Sequence, residues 1–447
     1  MSIVIKNVTW VNEEQRQTGD VWFQDGRIRK LGGQITVPQG TQEICGEGKV
    51  LLPGVIDDQV HFRDFDLSHK ATIASESLAA AAGGVTSVME MPNTRPPTTD
   101  WEAWEYKTGI GARDSAVNYA YYIGGTNDNA DLILKNIPEG KICGLKLFMG
   151  SSTGNMLVDE PSVLEHFFAE WPGLIATHCE DEATIREQTA WAEKKYPGGI
   201  PPEAHPQIRN TEACAKSSSF AIDLARRHGT RLHVLHLTTE RETHFFDPGV
   251  LADKRITSEV CVHHLTFCDE DYQRLGNQIK CNPAIKRKED REALWSALKQ
   301  GRIDVIATDH APHTWEEKLA ERYQDAPAGL PLIQHTLGLM LYHVDQGRLT
   351  LEEVVRSMAH HPAECYRVKE RGYLREGYWA DAVLVDLQNK PEVTRQSIHH
   401  KCAWSPLEGQ TLGGTISHTF VSGQLAYSDG ALQKEVRGRA LEFLPQS

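Results

Sequence analysis

Along most of the chain, short uninterrupted apolar runs alternate with longer stretches of helical spacing. The runs are VLLPGVIDDQVHF, GGVTSVMEMPN, NYAYYIGG, ICGLKLFMG, GLIATHCED, TRLHVLHLTT, ITSEVCVHHL and IDVIATDHAPH. Segments that are apolar nearly throughout, rather than at alternate positions, predict strands buried on both faces, as in a parallel sheet flanked by helices. Eight such units over roughly 300 residues predict a closed (β/α)8 barrel, a TIM-like α/β fold. An open doubly wound sheet is the competing reading of the same rhythm. It would carry a Gly-rich phosphate turn after its first strand, and none is present.

The pattern changes at both ends. Residues 1–52 and 369–447 contain short alternating runs separated by turn signals, among them SIVIKNVTWVN, DVWFQDGRIRKLG, DAVLVDL and TISHTFVSGQLAYSDG. Chain ends commonly meet in a folded unit. The expected organisation is therefore a small β-sandwich assembled from 1–52 and 369–447, flanking a catalytic barrel over 53–368.

Composition narrows the function classes. With 447 residues, 40% hydrophobic and 24% charged, the chain is an ordinary globular sequence, and its formal net charge of −14 argues against a nucleic-acid or anionic-membrane surface. An anionic substrate must therefore meet locally placed cations. The opening MSIVIKNVTWVNEEQRQTGD has no basic segment followed by an apolar core, and no later stretch approaches the length of a membrane span, so a cytoplasmic protein is expected. The nine cysteines are odd in number, scattered and without a CxxC pair, which fits reduced thiols better than a disulfide framework.

The chemistry is concentrated where the predicted strands end. In a (β/α)8 barrel the active site lies at the carboxyl ends of the strands, and those ends carry His61, Lys146, His178, His236 and Asp309. Singly, each has a structural reading: a hydrogen-bonded histidine, or an aspartate capping the next helix. Converging on one rim, imidazoles and a carboxylate suit zinc or a related divalent ion. Lys146 needs its own account, because a buried ammonium is costly and dications repel it. Two readings stand: carboxylation by carbon dioxide to a carbamate able to bridge two metals, or a side chain snorkelling to the barrel mouth. In DDQVHFRDF, a strand end that could offer two imidazoles on one face has Gln59 in the first place and His61 in the second.

These residues resemble the amidohydrolase superfamily, and in detail the dihydroorotases that carry a carboxylated lysine. The resemblance runs from LLPGVIDDQVHFRD through MEMPNT, GLKLF, THCED, HVLHL, EVCVHHL and CNPAIKRKEDREALW to DVIATDHAPHTWEEK. It implies a metal-dependent hydrolase of cyclic amides, interconverting dihydroorotate and N-carbamoyl-L-aspartate in pyrimidine biosynthesis, and a homodimer. It further implies that a carbamate on Lys146 bridges one or two zinc ions, with His178 and His236 on one and His61 and Asp309 on the other. Asp309 would also carry the proton. Arg63 would meet the substrate carboxylate with help from Asn93, and Asn282 and His313 would contact the ring or carboxylate. The family pattern has histidine at Gln59, so the ion near His61 and Asp309 is expected to be held more weakly. Gln334 and His335 in PAGLPLIQHTL are a second departure, expected to reshape the pocket floor. The competing classes are an allantoinase- or hydantoinase-like cyclic amidohydrolase, and a catalytically silent homologue serving as a structural partner of aspartate transcarbamoylase.

Overall fold

In the computed structural model, residues 1–150 and 156–445 are described. The amino-terminal segment forms β1 (Ser2–Asn12), β2 (Gln15–Gln24), β3 (Arg27–Gly32), β4 (Gln42–Cys45) and β5 (Val50–Pro53). The barrel strands follow as β6 (Val55–Val60), β7 (Val85–Glu90), β8 (Asn118–Tyr121), β9 (Ile123–Gly124), β10 (Leu145–Phe148), β11 (Leu174–His178), β12 (Arg231–Val234), β13 (Ile256–Cys261) and β14 (Val305–Ala307). The chain closes with β15 (Ala382–Asp386), β16 (Thr415–Val421), β17 (Gln424–Ser428) and β18 (Ala431–Leu432).

Every barrel pair is parallel, and β6, β7, β8, β10, β11 and β14 are buried at every residue. This is the signature of a sheet covered on both faces, and it is why these runs are apolar nearly throughout. Strands β8 and β9 are one barrel stave broken at Tyr122, whose amide donates to the Glu90 carbonyl at 3.1 Å. The ring closes where Val60 bridges His310 in parallel and the His61 amide donates to the His310 carbonyl at 2.7 Å. Helices between strands start at side-chain caps such as Thr72, Asp100, Asp181 and Asn210, each accepting from a first-turn amide.

The β-sandwich draws on both ends of the chain. Strand β5 pairs antiparallel with β15, Val50 opposite Val385 and Pro53 opposite Ala382, joining the amino-terminal strands to the carboxyl-terminal ones. Its own core includes Ile3, Ile5, Val21, Phe23, Leu51, Leu384 and Phe420. The last segment does not stay with this unit. Ala440 bridges Tyr119 and Phe443 bridges Val368, so the tail returns to the barrel and packs on it. Its alternating apolar residues Leu441 and Phe443 are buried there.

Candidate metal and substrate site

One cavity of about 350 Å³ opens at the carboxyl ends of the barrel strands, and it is lined by the residues to which the resemblance gave a ligand or substrate role, His61, Arg63, Asn93, Lys146, His178, His236, Asn282, Asp309 and His313, together with Gln59. Three of these hold left-handed backbone, Arg63 at φ 69, His236 at φ 42 and Asp309 at φ 47. For residues other than glycine such a conformation costs roughly 1–3 kcal/mol, and it persists only where the surroundings enforce it, typically at functional sites.

On one side, β11 and β12 bring His178 and His236 together, Nδ1 of the first 3.0 Å from Nε2 of the second. His178 Nε2 donates to Glu180 Oε2 at 2.9 Å, which leaves Nδ1 as the nitrogen with a lone pair. Glu180 is fully buried; burial opposes its ionisation, but the Arg209 guanidinium and His178 outweigh that and hold its pKa at about 2. The His236 amide donates to Glu259 Oε1 at 3.1 Å, and Nδ1 of its ring has no hydrogen-bond partner. Lys146, from β10, is 1% exposed, and its Nζ also lacks a hydrogen-bond partner. Burial lowers its pKa to about 7. An unpaired amine held there is poised to exist as the free base.

On the other side, His61 Nδ1 donates to Asn93 Oδ1 at 2.7 Å, and Nε2 faces Asp309 Oδ1 at 3.0 Å. Burial pushes the His61 pKa below its ordinary value, so the ring is neutral and turns a lone pair toward a carboxylate oxygen. Two acceptors at that distance are favourable only with a cation between them, which is how a metal-ligating histidine with a fixed tautomer is built. Asp309 is itself buried, which opposes its ionisation, yet its pKa is lowered, as a cation shared with His61 Nε2, a proton or a metal ion, would lower it. Gln59 has stayed in the site: its amide nitrogen donates to the same Asp309 Oδ1 at 3.3 Å. The donor set thus fits a divalent ion. His178, His236 and Lys146 offer one group of ligands, and His61 and Asp309 another.

Cationic side chains line the same cavity. Arg63 donates through Nε to the Pro312 carbonyl at 3.1 Å, and its terminal nitrogen sits 3.0 Å from His313 Nε2. Burial lowers its pKa to about 10, which still leaves it charged at neutral pH. Lys70 approaches His313 Nδ1 at 3.0 Å and Glu317 at 3.1 Å. The floor on this side is the segment Pro327–Ala328–Gly329. Buried Lys318 holds it by donating to the carbonyls of Lys280, Pro327 and Gly329 at 2.9–3.1 Å. Gly329 (φ 141) approaches so closely that a Cβ there would lie 2.4 Å from the Ala311 oxygen, so only glycine fits.

The carbonyl oxygen of Asn93 orients His61, and its amide NH2 remains for the cavity. One expectation changes. Gln334 and His335 do not form the pocket floor. Gln334 bonds the Ser397 carbonyl and the His399 amide, each at 2.7 Å, and His335 packs against His400, away from the cavity lining. Sequence reasoning also passed over Lys70 and Arg95, which line the mouth, and the Glu180–Arg209 pair behind His178. Glu180 had a signal, an acid two residues after a strand-end histidine in THCED.

Comparison with known proteins agrees with this geometry. The amidohydrolase family model matches residues 50–426. A dihydroorotase of Halobacterium salinarum is 34% identical over 94% of this chain and 98% of its own, and one of Pyrococcus horikoshii is 31% identical over 95% and 91%. Among solved structures, an L-hydantoinase (dihydropyrimidinase) from Arthrobacter aurescens superposes with a TM-score of 0.90 at 26% identity, covering 96% of this chain and 97% of that one. No helix among the described residues is long and apolar enough to cross a membrane. The chain belongs to the amidohydrolase family, and it is a hydrolase.

Proposed function

We propose that the protein is a dihydroorotase, interconverting dihydroorotate and N-carbamoyl-L-aspartate with one or two zinc ions and a carbamate on Lys146. The observation that carries this reading is Arg63, a buried guanidinium that lines the same small cavity as the histidine and carboxylate groups. A ring amide and a free carboxylate on one small molecule need this pairing of a metal-binding pole and a planar cation. His178, His236 and Lys146 would hold one ion, and His61 and Asp309 the other. When bound, a divalent ion polarises a carbonyl oxygen and makes water acidic enough to supply a nucleophile near neutral pH.

The chain's own residues do the rest. Asp309, ionised and aimed at the cavity, accepts the proton of the attacking water and returns it to the departing ring nitrogen. Arg63 receives the carboxylate, with the Asn93 amide NH2 and His313 beside it. Asn282, whose Oδ1 has no hydrogen-bond partner, is an acceptor for a ring N–H. Glu180 and Arg209 keep His178 in one tautomer. The same proposal makes the protein a cytoplasmic homodimer acting on a small anion, with residues 1–52 and 369–447 as the flanking domain, apart from the tail around Ala440–Phe443 that packs on the barrel, and 53–368 as the catalytic one. The net charge of −14 supports exclusion of nucleic acid.

A hydantoinase-like activity is the second reading, favoured by the TM-score of 0.90 to an L-hydantoinase. Following ring opening spectrophotometrically with dihydroorotate, dihydrouracil, hydantoin and allantoin separates the two. Dihydroorotate is expected to be the preferred substrate. Arg63→Met should lower kcat/KM for it by about 10- to 100-fold, the worth of a charged hydrogen bond, with little effect on any uncharged ring. Preference for hydantoin or dihydrouracil would overturn the assignment, and no turnover with any ring, alongside tight binding to an aspartate transcarbamoylase, would favour a silent scaffold.

A further inference from the structure

Three buried groups outside the catalytic rim bring potential metal ligands together: Glu76 with His310 and His400, Asp58 with His233 and Glu259, and Cys261 with His263 and His264. The first two contain carboxylates that pair with imidazoles. Glu76 Oε2 lies 2.9 Å from His310 Nε2, and His233 Nε2 lies 3.3 Å from Asp58 Oδ2. A hydrogen bond between acid and imidazole accounts for the first, and in the second a His233 ring whose pKa stays well above its ordinary value despite burial is ion-paired with Asp58 and Glu259, without a hydrogen bond between them. The third has no carboxylate among its members, and hydrogen bonds leave it largely unsatisfied.

We propose that Cys261, His263 and His264 form a second metal site behind the rim, bordering it at Gln59 and suited to zinc or another thiophilic divalent ion. One donor atom from each lies within 4.8 Å of the others, and all three residues are buried. Both ring nitrogens of His263 and Nδ1 of His264 lack hydrogen bonds of good geometry, a Thr308 backbone contact being the nearest approach to a partner for His263. Native proteins rarely leave buried ring nitrogens in that state, and a bound ion is one resolution of it. His264 Nε2 donates to the Pro283 carbonyl at 3.1 Å, which fixes its tautomer with the lone pair on Nδ1, the outer hydrogen bond characteristic of ligating histidines. Burial keeps both rings neutral, with the His263 pKa lowered to about 4.

Gln59 supplies the fourth donor. Its Oε1 is 3.7 Å from Cys261 Sγ, close to the roughly 3.5 Å that separates sulfur and oxygen ligands on one tetrahedral zinc. The other groups near these atoms are already committed. Glu259 Oε1, 3.8 Å from Cys261 Sγ, accepts from the His236 amide. Cys281 Sγ, 3.9 Å from His264 Nε2, faces the Pro283 carbonyl at 3.3 Å. Binding forms a metal–sulfur bond and releases the Cys261 thiol proton to solvent, while both imidazoles bind as neutral donors. In this arrangement the glutamine at 59 serves two neighbours at once, its amide nitrogen toward Asp309 and its oxygen toward Cys261.

The test is cobalt substitution of the full-length protein. Stripped by chelator and titrated with Co²⁺ alone, the wild type should develop thiolate-to-cobalt charge-transfer absorption in the near ultraviolet, which nitrogen and oxygen ligands cannot produce. Cys261→Ser should abolish that band and lower cobalt content by one ion per chain. Cys281→Ser, which removes the nearest other thiol, should keep it, and Lys146→Ala, which disables the rim, should also keep it. The Lys146 variant separates this site from the proposed catalytic function. Should Cys261→Ser fail to fold, X-ray absorption on cobalt-loaded wild type and Cys281→Ser protein replaces it, and one sulfur scatterer is expected in both. A wild type without sulfur ligation, or a band that survives loss of Cys261, would overturn the proposal.

Discussion

The two halves of the catalytic rim are built to different standards. Behind His178 stands a buried, ionised Glu180 locked to Arg209, and behind His236 the Glu259 carboxylate takes its backbone amide. Behind His61 stands only a neutral amide, Asn93, and the place beside it is filled by Gln59 rather than by another imidazole. An ionised carboxylate raises the basicity of the imidazole it orients, and an amide does not. Gln59 also draws on Asp309 Oδ1, an oxygen His61 already faces. The first half is preorganised for a tightly held ion. The second half is arranged around its acid, Asp309, and on the proposed function would hold an ion less firmly.

The largest effect should come from that acid. Asp309→Ala removes the proton carrier and should lower kcat by about 10²- to 10⁴-fold in a dihydroorotate hydrolysis assay, whereas near-normal turnover would remove Asp309 from the chemistry. Next comes the brace on the firm half. Glu180→Gln should weaken retention of the tightly bound ion by about 10- to 100-fold in chelator competition, while Asn93→Ala should leave that ion untouched. Equal losses in both variants would show the halves to be equivalent.

A smaller effect should appear with pH through Lys146. Its amine is free above a pKa of about 7, so carbamate formation from bicarbonate in the metal-free protein should rise as pH increases through about 7, followed by ¹³C NMR. The sign for stability follows from the same lowered value. Between about pH 7 and the ordinary lysine range the unfolded chain holds a proton that native, uncarboxylated Lys146 has released. Stability of that form therefore rises with pH across the window, and falls as pH drops toward 7, where the amine recharges. A carbamate signal independent of pH would contradict the free-amine account.

Much of this was legible in the sequence because it depends on neighbours along the chain. The barrel strands announced themselves as apolar runs, and His61, Lys146, His178, His236 and Asp309 followed from standing at strand ends. What the sequence hid depends on partners far apart in it. Arg209 reaches Glu180 across 29 residues, and Lys318 fixes the Pro327–Gly329 floor through backbone carbonyls, which leave no residue signature. The Gln334–His335 departure was misplaced for a related reason. Those positions follow the cavity floor in sequence, but the chain has turned by then, and Gln334 meets Ser397 and His399 instead. The return of the tail to Tyr119 and Val368 rests on isolated bridges and scattered backbone hydrogen bonds, which leave no residue pattern.

The asymmetry itself is tested most directly by counting the rim's metal ions with and without the missing imidazole. In a Cys261→Ser background, which confines the count to the rim, zinc content and its affinity steps are measured by elemental analysis across a chelator series. The account predicts one firmly held ion and one labile or absent ion with Gln59 in place, moving toward two firmly held ions per chain in Gln59→His. Two zinc ions of equal affinity with Gln59 unchanged would contradict it.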